Sequence, residues 1–362
     1  MKKIISVVGA RPNFIKIAPV AKALKKYRKE VKHQICHTGQ HFDKRMSEIF
    51  FDQLKMPRPD FSLGVSGGSH AEQTARIMLE LEKVLAEERP DLVIVPGDVN
   101  STLAAALVAS KMGIPIAHVE AGLRSFDKSM PEEINRIVTD VVSDYLFVSE
   151  HSGMRNLRDE GMDDSKIHFV GNTMIDSLEA NYNLIEECSV TKEMGLKPAN
   201  YIVATFHRPS NVDNPEALGE LIDTLSRLAK ERTLVFPVHP RTHKNIERYG
   251  LNKNLPKGLI ITEPLGYIEF LSLVRYAELV ITDSGGIQEE TTYMGVQCIT
   301  VRKNTERPVT IDVGTNHLVG TQMEKVEKTA LDILGGITKP GRIPEMWDGK
   351  AAKRIAEIIM ES

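Results

Sequence analysis

The chain has 362 residues, 41% of them hydrophobic and 26% charged, with a formal net charge of -3. That length exceeds one ordinary domain and suits two, and the near-neutral charge excludes the strongly basic surface of a nucleic-acid binder. No apolar run is long enough to span a bilayer, the start MKKIISVV leads straight into a strand pattern, and Cys36, Cys188 and Cys298 lie far apart, so a cytosolic protein with buried free thiols and no membrane partner is expected.

Short β-branched runs alternate with longer helical patterns along almost the whole chain, which predicts an α/β fold built of βαβ units on parallel sheets. In the first half, strands are expected at Ile4–Val8, Gln34–His37, Leu92–Pro96, Ile116–Val119, Tyr145–Val148 and Ile167–Val170. Helices are expected between them at Phe14–Tyr27, Ala71–Glu88, Thr102–Lys111, Glu132–Asp140 and Gly153–Glu160. Gly171 closes this run, so the chain is divided into residues 1–171 and 172–349. The second half repeats the scheme with strands at Ile202–Thr205, Leu234–Val238, Leu259–Ile261, Leu279–Thr282 and Gln297–Val301, and an amphipathic stretch from Ala351 to Met360 ends it. Two such Rossmann-like domains facing each other would set both groups of strand-end loops along a central cleft.

Ligands of open parallel sheets meet the loops at the carboxyl ends of the strands. In the first half those loops carry Gly9-Ala10-Arg11, Thr38-Gly39-Gln40-His41, Gly97-Asp98 and Glu120-Ala121-Gly122. In the second they carry His207-Arg208, His239-Pro240-Arg241, Pro264-Leu265, Asp283-Ser284-Gly285-Gly286 and Glu306-Arg307. The stretch DSGGIQEE, residues 283–290, follows a strand and opens a helix, so Ser284, Gly285 and Gly286 leave backbone N–H groups open to a phosphate. Glu290 stands one turn further on, where a carboxylate accepts from sugar hydroxyls. Gly-rich turns of this kind are common, and the motif alone does not assign a nucleotide.

Arg11 and Lys16 at the start of the first helix fit an anionic ligand, although for Lys16 taken alone a solvated face is the simpler reading. Asp98 and Glu120 follow directly on apolar strands, where a carboxylate is costly unless it lines a wet site, so both are candidate functional groups. Glu132 and Arg136, four apart on a helix, fit a surface ion pair as well as they fit a site. His207 and His239 end their strands. The spacing of His239 and His243 lacks the Glu of a zinc-protease helix, and Ser284 lacks the G-x-S-x-G elbow, so no metal is expected and Ser284 is assigned to phosphate.

Read together, GARPNFIKIAP, PGDVNSTLAAA, HVEAGLRSFDKSMPEEINR, VGNTMIDSL, PVHPRTH, TDSGGIQEE and ERP resemble the non-hydrolysing UDP-N-acetylglucosamine 2-epimerase family, in order from Gly9 to about Gly320. The resemblance implies a glycosyltransferase-B-like pair of Rossmann-type domains, with the C-terminal helix (350–362) crossing back onto the first. It also implies a homodimer, a UDP-sugar as ligand, no cofactor, and interconversion of UDP-GlcNAc and UDP-ManNAc. The family's nucleotide contacts fall on Arg11, Lys16, the backbone near Leu265, Phe270, Ser284, Gly285, Gly286, Glu290 and Arg307. Its catalytic carboxylates fall on Asp98, Glu120 and Glu132, with Arg136, His207 and His239 around the diphosphate and sugar, His207 counting among the catalytic groups. Gln40 and His41 match a loop at which some relatives bind a second UDP-GlcNAc as activator. One departure stands out: His207-Arg208-Pro209-Ser210-Asn211 replaces His-Arg-Arg-Glu-Asn of bacterial members, which leaves 3-acetamido and uronic acid forms of the sugar open.

C2 of such a sugar has no adjacent carbonyl, so its proton is not acidic enough for direct removal. Loss of UDP together with that proton, giving 2-acetamidoglucal, followed by protonation on the other face and return of UDP, inverts the centre. Two faces ask for two proton-handling groups, assigned to Asp98 and Glu132, with Glu120 positioning the sugar or sharing the task. No carbon is oxidised, so no nicotinamide is expected. A sugar transferase on the same fold, a hydrolysing epimerase and a nucleotide-sugar-binding regulator are the alternatives.

Overall fold

A computed structural model describes residues 1–40, 53, 56–253 and 255–361. By contact the chain forms two compact units, Met1–Ala180 with Glu345–Ser362, and Asn181–Pro344.

The first unit is built on β1 (Lys2–Val8), β2 (Val31–His37), β3 (Phe61–Ser62), β4 (Leu92–Pro96), β5 (Ile116–Val119), β6 (Tyr145–Val148) and β7 (Ile167–Phe169). These form one seven-stranded sheet in the order β3-β2-β1-β4-β5-β6-β7, every neighbouring pair parallel. Alternation along each strand feeds two cores. Ile4, Val8, Leu92 and Ile94 face a cluster with Phe14, Ile17 and Val20, whereas Ile5, Val7, Val93 and Val95 face Leu81, Leu85 and Ala105. Burying each of these large aliphatic side chains contributes about 1.5–3 kcal/mol before chain entropy is counted.

Two features of this unit extend past Gly171. The helix Thr173–Ala180 packs on the helix Arg11–Leu24, where the Ser177 hydroxyl donates to the Ile15 carbonyl oxygen. Asp176 on the same helix accepts from the backbone N–H groups of Ala351 (3.1 Å) and Ala352 (2.7 Å), which caps the C-terminal helix Ala351–Glu361. Ile355 and Ile359 of that last helix then join the cluster of Phe14, Ile17 and Val20.

The second unit contains β8 (Tyr201–Thr205), β9 (Thr233–Pro237), β10 (Leu259–Thr262), β11 (Leu279–Thr282), β12 (Gln297–Thr300) and β13 (Asn316–Leu318). Their order is β10-β9-β8-β11-β12-β13, again wholly parallel. Ile202 and Ala204 face one core, and Tyr201 and Val203 face the other. The expected strands all form, with ends shifted by a few residues at most. Edge strands β3 and β13, of 2 and 3 residues, are additions that no periodicity of so short a run can announce. In each sheet the strand order reverses at one place, between β1 and β4 and between β8 and β11, where parallel sheets of this type take ligands.

Candidate active site

In the first unit the loops after β1 and β4 are tied together. Asn13 Oδ1 accepts from the N–H groups of Gly9 and Ala10, both at 3.0 Å, and Asn13 Nδ2 donates to the Pro96 carbonyl oxygen at 3.0 Å. Arg11 opens the helix and stays half-buried. Lys16 is buried, and its Nζ lies 2.6 Å from Glu120 Oε2, so the solvated-face reading of Lys16 is overturned: an ammonium can sit in this interior because a carboxylate meets it. Gly97 makes room for that pair. It adopts φ 64°, and a Cβ there would lie 2.8 Å from Lys16 Nζ.

Glu120 has a left-handed backbone, φ 76°, uncommon for a side-chain-bearing residue and costing about 1–3 kcal/mol. It is held there by the N–H groups of Glu120 and Ala121, which both donate to the Phe147 carbonyl oxygen at 3.0 Å. Asp98, at the end of β4, keeps 21% of its side chain exposed and pairs with the Arg136 guanidinium. Arg136 is buried rather than on the surface, and its ion pairs run to Asp98 and, at 2.5 Å, to Glu133. Glu132 sits half-buried in the first turn of the helix Pro131–Val142. Burial pushes the Glu133 carboxyl up, but N–H groups of Ser125 and Phe126 together with Arg136 hold it below the ordinary value.

In the second unit Asp283 ends β11 and is fully buried. It accepts from the backbone N–H groups of His207 (3.1 Å) and Arg208 (3.0 Å), from Asn211 Nδ2 (2.9 Å), and from His207 Nδ1 (2.9 Å). Burial works against its charge, yet the His207 ring, the Arg208 N–H and the Asn211 amide outweigh burial and keep its carboxyl low. The His207 side chain remains 52% exposed beyond this contact.

Ser284 precedes the helix Gly285–Met294, whose first-turn N–H groups at Gly285 and Gly286 have no intrahelical acceptor. The Ser284 N–H is already spent on Thr282 Oγ1, 2.9 Å away. A Cβ at Gly285 would lie 2.6 Å from Arg307 Nη1, so the guanidinium rests directly against this helix start. Arg307 in turn is buried between Glu306 and Glu289, the latter at 3.1 Å. The result is a seat of backbone donors beside a fixed cation, suited to a phosphate.

Relatives decide which phosphate chemistry this is. Residues 22–360 match the family model of UDP-N-acetylglucosamine 2-epimerase. The chain belongs to the UDP-N-acetylglucosamine 2-epimerase family. The UDP-N-acetylglucosamine 2-epimerase of Methanococcus maripaludis is 42% identical over 99% of this chain and 98% of its own length. The UDP-2,3-diacetamido-2,3-dideoxy-D-glucuronate 2-epimerase of Pseudomonas aeruginosa is also 42% identical, over 99% of each. The crystal structure of the Methanocaldococcus jannaschii UDP-GlcNAc 2-epimerase in complex with UDP-GlcNAc and UDP superposes with a TM-score of 0.92, at 42% identity over all of both chains. The chain is therefore an α/β enzyme of the glycosyltransferase-B-like type and an epimerase.

The remaining positions that match the family distribute as follows. Glu290 is buried on the helix Gly285–Met294, and Leu265 and Phe270 are half-buried against the second unit's core. His239 is exposed and caps the helix Pro240–Arg248, its Nδ1 accepting from the Arg241 N–H at 3.3 Å. Gln40 Oε1 accepts from the Ser101 N–H (3.0 Å) and hydroxyl (2.6 Å), so it caps the helix Asn100–Lys111 from a distance. His41 lies outside the described residues.

Several buried polar groups of the first unit were not singled out from sequence: Glu133, Asn135, His118 and Asp140. Asn135 Nδ2 donates to the Asp98 carbonyl oxygen at 2.8 Å. His118 did carry a signal, an ionisable residue in the middle of the apolar strand β5, where a buried polar group needs partners.

Proposed function

We propose that this family member reversibly inverts C2 of UDP-N-acetylglucosamine to give UDP-N-acetylmannosamine. The observation that carries the reading is the pair of carboxylates at the ends of adjacent strands, Asp98 on Arg136 and Glu120 on Lys16, each against its own buried cation. A phosphate-binding helix start alone serves any nucleotide; carboxylates supply proton transfer. In the forward step the C2–H and C1–O bonds break, a C1–C2 double bond forms, the proton passes to a carboxylate, and UDP leaves with the bonding pair. Protonation of C2 from the other face and re-addition of UDP at C1 complete the inversion. Asp98 and Glu132 handle the protons, in keeping with the partial exposure of both. Glu120, nearly sealed with Lys16, positions the sugar.

The diphosphate is assigned to Arg11, His207, Arg307 and the helix start at Ser284, Gly285 and Gly286, where donors stabilise the departing charge. Glu290, Leu265 and Phe270 are assigned to the uridine side, and Arg136 and His239 to the sugar and diphosphate. No cofactor takes part in these steps. A related UDP-sugar, the 3-acetamido or uronic acid form, is the second reading, favoured by the Pro209-Ser210 departure and by the equal identity to the Pseudomonas aeruginosa enzyme. We also assign the protein to the cytosol as a homodimer. Among the described residues no helix is long and apolar enough to cross a membrane. Product analysis in heavy water across a panel of UDP-sugars tests the reaction: a UDP-linked C2 epimer carrying deuterium at C2 is expected. Protium retained at C2 through many turnovers would exclude elimination. Sedimentation at several concentrations tests the dimer.

A further inference from the structure

The helix Pro131–Val142 turns Glu133, Arg136 and Asp140 to one side, and all three are buried. Its apolar Ile134 and Val141 are 48% and 56% exposed, so the buried side of this helix is largely polar and charged. Each buried group grips a different segment. Glu133 takes the Ser125 and Phe126 N–H groups, and Arg136 takes the Asp98 carboxylate. Asp140 accepts from the Gly122 N–H (3.1 Å), from Arg124 Nη1 (2.7 Å) and from His118 Nδ1 (2.6 Å).

His118 is fully buried, and its other ring nitrogen, Nε2, lies 2.7 Å from the Gly97 carbonyl oxygen. The two ring nitrogens of His118 thus bridge two oxygens, one of the Asp140 carboxylate and one of the Gly97 peptide. The Gly97 carbonyl belongs to the peptide plane that leads into Asp98, and the Gly97 N–H donates to the Val119 carbonyl oxygen at 2.9 Å. One carboxylate, Asp140, thus reaches the loop carrying Glu120 directly, through Gly122, and the loop carrying Asp98 through a histidine.

We propose that His118 and Asp140 form a positioning pair for the epimerisation, holding the Gly97–Asp98 peptide and the loop of Glu120 in the register that proton transfer at C2 requires. Neither residue touches the reacting atoms. The inference rests on the reaction assigned above. A pair that served folding alone would lower the yield of folded protein and leave turnover per folded molecule unchanged.

The test measures kcat and KM for UDP-N-acetylglucosamine, UDP affinity by calorimetry and thermal unfolding, for the wild type, His118→Gln and Asp140→Asn. Glutamine reaches one of the two acceptors, not both. For His118→Gln, kcat is expected to fall about 100-fold, the loss typical of a misplacement near 1 Å, with KM and UDP affinity within about threefold of wild type. Asp140→Asn keeps an acceptor for one donor and should show the same split with a loss of about tenfold. Imidazole added to His118→Ala should restore part of the lost kcat, which a folding defect would not allow. A folded His118→Gln with kcat within about threefold of wild type overturns the proposal. If His118→Gln does not fold, Asp140→Asn decides by the same criterion, and failure of both to fold makes the pair a folding element and overturns it too. A wild type inactive on every UDP-sugar would overturn the assigned reaction and this proposal with it, an outcome distinct from a silent variant of an active enzyme.

Discussion

The second sheet repeats the order of the first six strands of the first, and each reverses its order at one point, yet the two units place opposite chemistry there. In the first unit the group presented is an acceptor, Asp98, paired with a cation that is itself buried, while Glu120 is nearly sealed against Lys16. In the second unit the carboxylate, Asp283, is turned inward onto two backbone N–H groups, an amide and a ring, while donors face outward at Gly285, Gly286 and His207. The difference teaches that strand order fixes where a ligand is met, and the loop residues alone decide the sign of charge it meets.

Damage to each unit should therefore separate turnover from binding. Asp98→Asn and Glu132→Gln should lower kcat by about 10²–10⁴-fold while UDP affinity stays within about twofold, read by turnover assay and calorimetry. Loss of UDP binding in either variant would break the division. Next in size is the buried pair Lys16–Glu120. Lys16→Met should cost about 3–5 kcal/mol in urea unfolding, because it strands a buried carboxylate, and Glu120→Gln in the same chain should return most of that loss.

In the second unit the expected effect is on binding. Gly285→Ala pushes a methyl group against Arg307, which is pinned by Glu306 and Glu289 and has little room to yield. UDP affinity should weaken about tenfold, or ~1–2 kcal/mol, with kcat at saturation nearly unchanged. Arg307→Ala and Glu290→Ala should act in the same direction, and unchanged calorimetric affinity would remove those residues from the nucleotide site.

A last expected effect, on stability, asks what keeps an inward carboxylate charged. Asp176 resembles Asp283 in accepting from two backbone N–H groups, but it lacks the amide and the ring, and burial lifts its carboxyl to about 6. The sign follows from linkage. With its folded value above the unfolded one, Asp176 binds its proton more tightly in the native state, so its contribution is most favourable below about pH 4 and declines as pH rises toward 6. Going from pH 7 to pH 4, the stability difference between wild type and Asp176→Asn should shift toward wild type by ~2 kcal/mol. Asp283, held low by its extra donors, should show no such shift in that window.

Much of this molecule was legible in its sequence, since apolar runs of four or more residues between helical patterns have few solutions other than parallel βαβ units. The strand-end positions of Asp98, Glu120, His207 and Ser284 follow from the same pattern, because a polar residue after an apolar run marks where a strand leaves the core. The charged interior was not legible. The helix expected over Glu132–Asp140 carries no sign of its inward side, and the structure exposes Ile134 and Val141 while it buries Glu133, Arg136 and Asp140. Taken alone, Lys16 reads as a surface cation, yet Glu120, 104 residues away in the chain, lies against it. A buried charge is tolerated only by its partner, and partners such as Asp140 for His118 or Asp283 for His207 come from other strands and helices. Composition and local spacing therefore determined the fold class and the candidate groups. Only the tertiary structure decided which charge answers which, because that energy depends on distance through space and on burial, neither of which is written along the chain.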